Sequence, residues 1–182
     1  VSATAAGNAI VLAAGGNFIN NAGAAVLLAP NGRWLVYAAD PNTSTFGGVA
    51  SGNPGLWSQT YPGNPPATVV AAGNRYLFAL GQALTITPDA VTKLYGDDLT
   101  GMLTGYSVTG LNTNTFGGVI AADTLAAALT GAPVLTSPGA AAGAGVTGSP
   151  YAITLATGTL ASPHGYAVNA SAVPGRLTVT PA

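Results

Sequence analysis

Apolar and hydroxyl side chains alternate in a short phrase that the chain contains twice. Leu-Thr-Ile-Thr-Pro at residues 84–88 returns as Leu-Thr-Val-Thr-Pro at residues 177–181. A period of two is typical of a β-strand with one buried face, and the proline, which cannot donate to a sheet, should end each strand or place it at an edge. A boundary strand that recurs about a domain length later predicts a tandem array, in which the second copy closes one unit or opens the next.

Similar apolar or alternating runs, broken by Gly, Pro and Asn, cover much of the chain and predict an all-β protein with one short helix. The helix should start after Asp123, whose carboxylate would cap its first turn. Leu125 and Leu129 would share one face of this helix, and Gly131 would end it. The expected strands are 9–14, 24–29, 33–38, 68–71, 75–79, 84–87, 106–109, 133–136, 151–155, 158–160, 166–168 and 177–180.

The expected boundary between two parts of the chain falls at Gly81 and Gln82. Residues 1–82 would form either a hairpin sheet or the coils of a parallel β-helix, because asparagine tolerates the left-handed turns of either, and periodicity does not decide between them. Residues 83–182 would form a small β-rich repeat domain of β-grasp-like or immunoglobulin-like type. Its Gly/Ala-rich stretch at 138–149 is expected to be a flexible loop.

Residues 40–66 are rich in proline and glycine and are expected to form a long irregular loop. Trp57 and Tyr61 lie within it. Aromatic residues in such a loop usually pack over a neighbouring sheet, so we expect this stretch to cap the first part, with an aromatic platform for a ligand as the less favoured alternative.

Charged side chains make up only 5% of the residues, against about 25% in ordinary soluble domains. The net charge of −1 comes without a basic cluster, which argues against nucleic acid. The chain has no cysteine, which excludes thiolate catalysis and thiolate metal sites. Mean hydropathy is +0.44, yet no apolar run reaches the length of a membrane span, so none is expected. Because the chain begins at Val1, we expect a segment of a longer or processed protein.

Groups that could carry catalysis are few, and we predict that the protein is not an enzyme. His164 is the only histidine, lies between Pro163 and Gly165, and is expected to be an exposed loop residue, with a Ser-His-Asp arrangement as the less favoured alternative. Asp97 and Asp98 are the only adjacent acids and should form a turn, because the spaced carboxylates of a calcium loop are absent. No catalytic, cofactor-binding or metal-binding residue is predicted.

Two further patterns bear on binding. Thr-Phe-Gly-Gly-Val at 45–49 recurs at 115–119, where the glycines would bend the backbone and the phenylalanine would anchor each loop. Neither copy has the lysine of a phosphate loop. The tyrosines at positions 95, 106, 151 and 166 could present a sugar-binding face, but half-buried packing is the favoured expectation.

Several phrases together resemble an MBG-type repeat of very large bacterial surface exoproteins. Besides the repeated phrase itself, they lie at 93–98, 106–111, 129–131, 149–153, 158–160, 166 and 175–181. Residues 1–80, with Gly-Asn-Phe-Ile-Asn-Asn at 16–21 and the stretch 33–41, resemble the region that precedes such repeats in filamentous-haemagglutinin-like proteins. In that family this region is a right-handed parallel β-helix exported by two-partner secretion. The resemblance implies a secreted adhesin-like or fibre-forming protein.

We therefore expect an extracellular or cell-surface bacterial protein with a structural or adhesive role. Its likeliest partners would be further copies of the same chain, joined head to tail by strand addition, since almost no charge repels a neighbouring strand. The alternative function is a module that binds a host glycan or a haem protein. The strands expected to act as assembly edges carry the apolar residues Leu84, Ile86, Leu177 and Val179.

Overall fold

The computed structural model describes all 182 residues, which divide into two compact units that interleave along the sequence. The chain passes between them at five boundaries. The first unit comprises Val1–Gln82, Leu111–Leu129 and Ser162–Ala167, and the second comprises Ala83–Gly110, Thr130–Ala161 and Val168–Ala182. The expected division into 1–82 and 83–182 therefore assigned Leu111–Leu129 and Ser162–Ala167 to the second unit, whereas they belong to the first.

The structure is mostly β-sheet, with 32% of the residues in strands and 10% in helical turns, which confirms the β-rich class. The one α-helical turn is α1 (Leu125–Ala128), and none of the helices is long and apolar enough to span a membrane. The strands are β1 (Gly7–Ala13), β2 (Gly32–Ala38), β3 (Arg75–Phe78), β4 (Ala83–Pro88), β5 (Val91–Leu94), β6 (Tyr106–Thr109), β7 (Val134–Thr136), β8 (Tyr151–Ala156), β9 (Ala167–Ala170) and β10 (Gly175–Thr180).

The first unit contains a parallel three-stranded sheet in the order β1-β2-β3. Gly7 of β1 pairs with Gly32 of β2, and outside the strands Ile19 pairs with Thr45, each about 25 residues apart, whereas Leu35 of β2 pairs with Arg75 of β3, 40 residues later. Parallel strands are usually joined through an α-helix. Here the connections contain only three-residue 3-10 turns, at Ala24–Val26, Pro41–Thr43 and Pro66–Thr68.

Both faces of this sheet are covered, as is usual for parallel strands. On one face Trp34 and Tyr76 pack with their ring centroids 5.0 Å apart, and Phe46 lies 4.8 Å from Tyr76. On the other face an aliphatic cluster includes Leu35 and Leu77. All four side chains of β3 are buried, so the core of the unit lies on both sides of the sheet.

The second unit contains a four-stranded sheet in the order β5-β10-β8-β7 and a three-stranded sheet in the order β6-β4-β9. β10 is parallel to β5 and antiparallel to β8, and β4 is antiparallel to β6. The N–H groups of Ala167 and Ser171 donate to the carbonyls of Gln82 and Ile86, so β9 runs parallel to β4. The core contains Leu135, Ala140, Ala144, Ile153, Leu177 and Val179.

Three expected strands are wrong. Residues 24–29 and 68–71 instead carry or follow 3-10 turns, and 158–160 is a turn in which Gly158 has a φ of 59°. The stretch 138–149, which was expected to be a flexible loop, contains two 3-10 turns and buries Ala140. Short apolar runs did not reveal the turns, because such runs do not by themselves distinguish a strand from other structure.

Candidate functional site

The residues expected to form assembly edges lie in the interior of the second unit. β4 lies between β6 and β9, and β10 lies between β5 and β8. Leu84, Ile86 and Leu177 are fully buried, and Val179 is nearly so. The prediction that these strands are edges is wrong, because each proline stands at the end of its strand and leaves the preceding residues free to pair on both sides.

The most unusual polar cluster lies in the first unit around His164. This residue is only 7% exposed, so the expectation of an exposed loop histidine is wrong. Its Nδ1–H donates to the carboxylate of Asp123, with Nδ1 3.0 Å from Oδ1 and 2.9 Å from Oδ2. The two residues are 41 positions apart, and they join two segments that return to the first unit after excursions into the second.

Asp123 does not cap the helix as expected. Thr124 is the N-cap of α1 and makes no side-chain cap hydrogen bond, and the helix ends before Leu129 rather than at Gly131. The Asp123 carboxylate instead accepts hydrogen bonds from the Thr124 N–H, from His164 and from the Tyr166 hydroxyl. Three partners satisfy a buried carboxylate, which explains why it can be withdrawn from water.

Tyr166 and Trp57 complete the cluster. The Tyr166 hydroxyl donates to Asp123 Oδ2 over 3.1 Å and accepts from the Asn112 N–H over 3.2 Å. Burial is the main cause that raises the pKa of Tyr166 to about 12, and the nearby carboxylate acts in the same direction. Trp57 is buried against Tyr166, with ring centroids 6.1 Å apart, and its indole N–H has no hydrogen-bond partner in the protein.

The chemistry available to this cluster is limited by its contacts. His164 makes no hydrogen bond to a serine or threonine hydroxyl, and its backbone carbonyl accepts from the Trp57 N–H. None of the cavities described below is lined by His164 or Asp123. The observed contacts therefore position chain segments, and they bring no substrate-accessible nucleophile to the imidazole.

Three of the four cationic side chains bind backbone carbonyl groups. Lys93 is buried, and its Nζ donates to the carbonyls of Asp97 and Ala141 over 2.7 and 2.6 Å and to a third, that of Ala140, over 3.2 Å. Arg75 donates to the carbonyls of Ala72 and Pro54, and burial lowers the pKa of its guanidinium. The only salt bridge in the chain is that between His164 and Asp123.

Arg33 is the third such cation. Its guanidinium donates to the carbonyls of Val69 and Ala71, and its Nε–H donates to the side chain of Asn8. The scarce positive charges thus hold loops in place, because a charged donor makes a stronger hydrogen bond to a carbonyl than a neutral one does.

Asp97 and Asp98 lie in a turn, as the sequence analysis favoured. The Leu94 N–H donates to Asp97 Oδ2, and the Thr100 N–H donates to Asp98 Oδ1 over 2.9 Å. The hydrogen bonds from Thr100 hold the pKa of Asp98 below its ordinary value. No group of three or more His, Cys, Asp or Glu side chains lies close enough together to hold a metal ion.

The two copies of Thr-Phe-Gly-Gly-Val meet within the first unit. The ring centroids of Phe46 and Phe116 lie 6.2 Å apart. The ring of Phe46 also contacts that of Phe18, with centroids 6.5 Å apart. The glycines that follow each phenylalanine have positive φ angles, so the backbone turns sharply at the same place in both copies. The phenylalanines of the two copies therefore pack against each other. The sequence pattern had predicted only that each phenylalanine would anchor its own loop.

The tyrosines considered as a sugar-binding face do not share one. Tyr166 belongs to the first unit and is buried, whereas the other three belong to the second. Tyr151 donates its hydroxyl to the carbonyl of Gly145, and Tyr95 is 52% exposed. Because Tyr166 is buried, it is not available to an exposed sugar-binding face.

Both units contain cavities that could admit small molecules. One, in the second unit, has a volume of 350 Å³ and is lined by Thr100, Leu103, Thr136, Ser137 and neighbouring residues. Another, in the first unit, has a volume of 130 Å³ and is lined in part by Tyr37, Gln59 and Tyr61. Others have volumes of 560 and 230 Å³ in the first unit and 300 Å³ in the second. No family model, no curated protein and no solved structure matches the chain.

Proposed function

We propose that the chain is a structural or adhesive segment of an extracellular bacterial surface protein. The observation that carries this proposal is the regular spacing of parallel neighbours in the N-terminal part of the first unit. Gly7 pairs with Gly32, Val11 with Leu35 and, at a separate site, Ile19 with Thr45, each about 25 residues apart, whereas β2 and β3 are 40 residues apart. Such a spacing is that of a coiled β-solenoid, in which each circuit of the chain stacks on the one before it.

Contacts between aromatic side chains support the same reading of the first unit as a short parallel β-helix. Phe46 packs against both Phe18 and Phe116, with ring centroids 6.5 and 6.2 Å apart and interplanar angles of 39° and 59°. In a solenoid, side chains of successive circuits lie above one another, and such contacts add to the apolar burial. A parallel β-helix is also the structure that the filamentous-haemagglutinin-like resemblance implies for this part of the chain.

The distribution of polar groups favours a structural role. The buried histidine donates to the carboxylate of Asp123, and the buried lysine and two arginines donate to backbone carbonyls. Head-to-tail assembly through β10 is not part of this proposal, because β10 already has two neighbours. Tandem copies along one polypeptide would give length without a new interface.

Single-molecule force spectroscopy on the full chain, placed between marker domains, tests the mechanical part of the proposal. We expect a distinct unfolding peak, which Phe46→Ala lowers and the exposed-site control Tyr95→Ala leaves unchanged. Extension without any peak would contradict a load-bearing role.

The extracellular placement needs a separate test. An antibody raised against the chain should label intact cells of the source bacterium. Labelling that appears only after lysis would overturn the surface assignment while leaving the mechanical result standing.

A further inference from the structure

The connection between β2 and β3 is longer than that between β1 and β2. Leu35 of β2 pairs with Arg75 of β3, a separation of 40 residues where the preceding pair of strands has about 25. Within this connection Leu56 pairs in parallel with Leu77 on the edge of β3 away from β2, and residues 59–73, the inserted stretch, then lead back into β3. Loops of this length in a compact domain are uncommon and often carry function.

The inserted stretch is held against the sheet by side chains from β1 and β2. Asn8 donates to the carbonyl of Pro66 over 3.0 Å, Arg33 to that of Val69 over 2.7 Å, and the Tyr37 hydroxyl to that of Asn64 over 2.7 Å. A loop tied at three points by side chains of the sheet presents a fixed surface, which lowers the entropy lost when a ligand binds.

The beginning of this stretch forms one wall of the 130 Å³ cavity, at the ends of the three parallel strands. Small residues form the floor of the cavity and leave space above it. They are Ala14, Gly15, Ala38, Ala39 and Ala79. The wall consists of Tyr37, Gln59, Thr60 and Tyr61. No charged side chain lines the cavity.

Tyr61 supplies an aromatic surface that is both fixed and accessible. Its side chain is 54% exposed, and its ring packs edge-on against that of Tyr37, with centroids 5.6 Å apart at 63°. Beside it, Gln59 Nε2 donates to the Trp57 carbonyl over 3.0 Å, which orients the amide and leaves its oxygen without a partner in the protein. The Thr60 hydroxyl likewise makes no hydrogen bond to the protein.

We propose that this cavity binds one uncharged pyranose unit of a glycan, a role that goes beyond the structural function. The flat aliphatic face of a pyranose packs on an aromatic ring, and its hydroxyls bond to oriented amide and hydroxyl groups. A phosphate or carboxylate ligand would lack a cation to pair with. The cavity, at 130 Å³, is too small to enclose a pyranose, so the sugar would enter it only in part and rest on the exposed ring of Tyr61.

Saturation-transfer NMR on the full chain tests the proposal. The probes are methyl β-galactopyranoside, methyl α-mannopyranoside, N-acetylglucosamine and, as the charged comparison, N-acetylneuraminic acid. We expect transfer to at least one of the neutral sugars. Tyr61→Ala should weaken it by about tenfold or more, and Tyr95→Ala, which removes a similarly exposed ring from the second unit, should not.

A second pair of variants tests the cavity without touching its aromatic wall. A Cβ added at either Gly15 or Gly16 would meet nothing within 4 Å, so both variants should fold, and only Gly15 lines the cavity. Gly15→Leu should abolish the transfer, and Gly16→Leu should retain it. Absence of transfer to every neutral sugar, transfer to the charged sugar alone, or transfer that survives both Tyr61→Ala and Gly15→Leu would overturn the proposal.

Discussion

His164 Nδ1 lies 2.9 Å from Asp123 Oδ2, and this one buried contact ties together two segments of the first unit. It is the only salt bridge in a chain with nine charged side chains. The buried Asp123 carboxylate also accepts a hydrogen bond from the Tyr166 hydroxyl. Removal of His164 would therefore leave this carboxylate with fewer hydrogen-bond partners.

We therefore expect His164→Ala and Asp123→Asn each to lower the free energy of unfolding by about 1–3 kcal/mol, because each leaves a buried polar group without one of its hydrogen-bond partners. Urea denaturation of the full chain measures this. Asp89→Asn is the matched control, since Asp89 is exposed and forms no salt bridge. If the His164 and Asp123 variants unfold at the same urea concentration as the control, the pair does not stabilise the first unit.

Lys93→Met should destabilise the second unit by roughly 2–3 kcal/mol. Methionine preserves most of the aliphatic volume but leaves three carbonyl acceptors without their charged donor. Arg176→Met removes the same charge from an exposed position of that unit and is expected to have little effect. Equal unfolding midpoints for the two variants would show that the three carbonyls find other donors.

Alkaline pH should destabilise the first unit through Tyr166. Burial raises the pKa of Tyr166 from 10.0 to about 12, so the native state keeps a proton that the unfolded chain has lost. The stability due to this difference is complete below pH 10 and is lost as the pH rises from 10 to 12, by ~2–3 kcal/mol in total.

Tyr166→Phe tests this pH dependence, because it removes the titrating group and keeps the ring. Burial also raises the pKa of Tyr76, so part of the alkaline loss should remain in the variant. Unfolding measured by urea at several pH values should show a shallower fall above pH 10 than in the wild type. The same slope in both proteins would mean that Tyr166 titrates normally.

Gly165→Ala should lower the thermal stability of the chain clearly more than Gly52→Ala does. Both glycines have positive φ angles, 82° and 66°, so each substitution carries the strain of about 1 kcal/mol that a left-handed backbone imposes on alanine. A Cβ at Gly165 would also collide with the carbonyl oxygen of Trp57, whereas one at Gly52 would meet nothing within 4 Å. Equal losses in thermal denaturation would show that the turn before Tyr166 can move aside.

Residues 1–82 expressed alone should not reproduce the native first unit. They lack Phe116, Val119, Asp123, His164 and Tyr166, which pack or bond within that unit. We expect poor dispersion of the amide signals in an NMR spectrum, in contrast to the full chain. Chemical shifts that match those of the full chain would contradict this expectation.

Local patterns in the sequence predicted most strands of the second unit but not their neighbours. The alternation in the repeated phrase gives the buried faces of β4 and β10 correctly. Whether a strand is interior or at an edge depends on partners far away in sequence, such as Val91 opposite Leu177, and no local period contains that information. The expectation of assembly edges failed for this reason.

The cluster around His164 was missed because flanking proline and glycine were read as signs of exposure. The residues do form a loop, but the loop turns inward. No local period reveals the cluster, because His164 lies in a turn and Gly165 has a φ of 82°. The only histidine in a chain with few charges is nevertheless a reason to search for a buried carboxylate, although the sequence alone does not identify Asp123.

The interleaving of the two units constrains how this protein could change length in evolution. Recombination between the two copies of the repeated phrase, at 84–88 and 177–181, would duplicate or delete the intervening gene segment. That segment encodes Leu111–Leu129 and Ser162–Ala167, which are parts of the first unit. A deletion would therefore remove two parts of the first unit together with most of the second. A duplication would add second copies of these parts without a second copy of residues 1–82, with which they form the first unit. Unequal crossing-over that preserves folding would have to take residues 1–82 along.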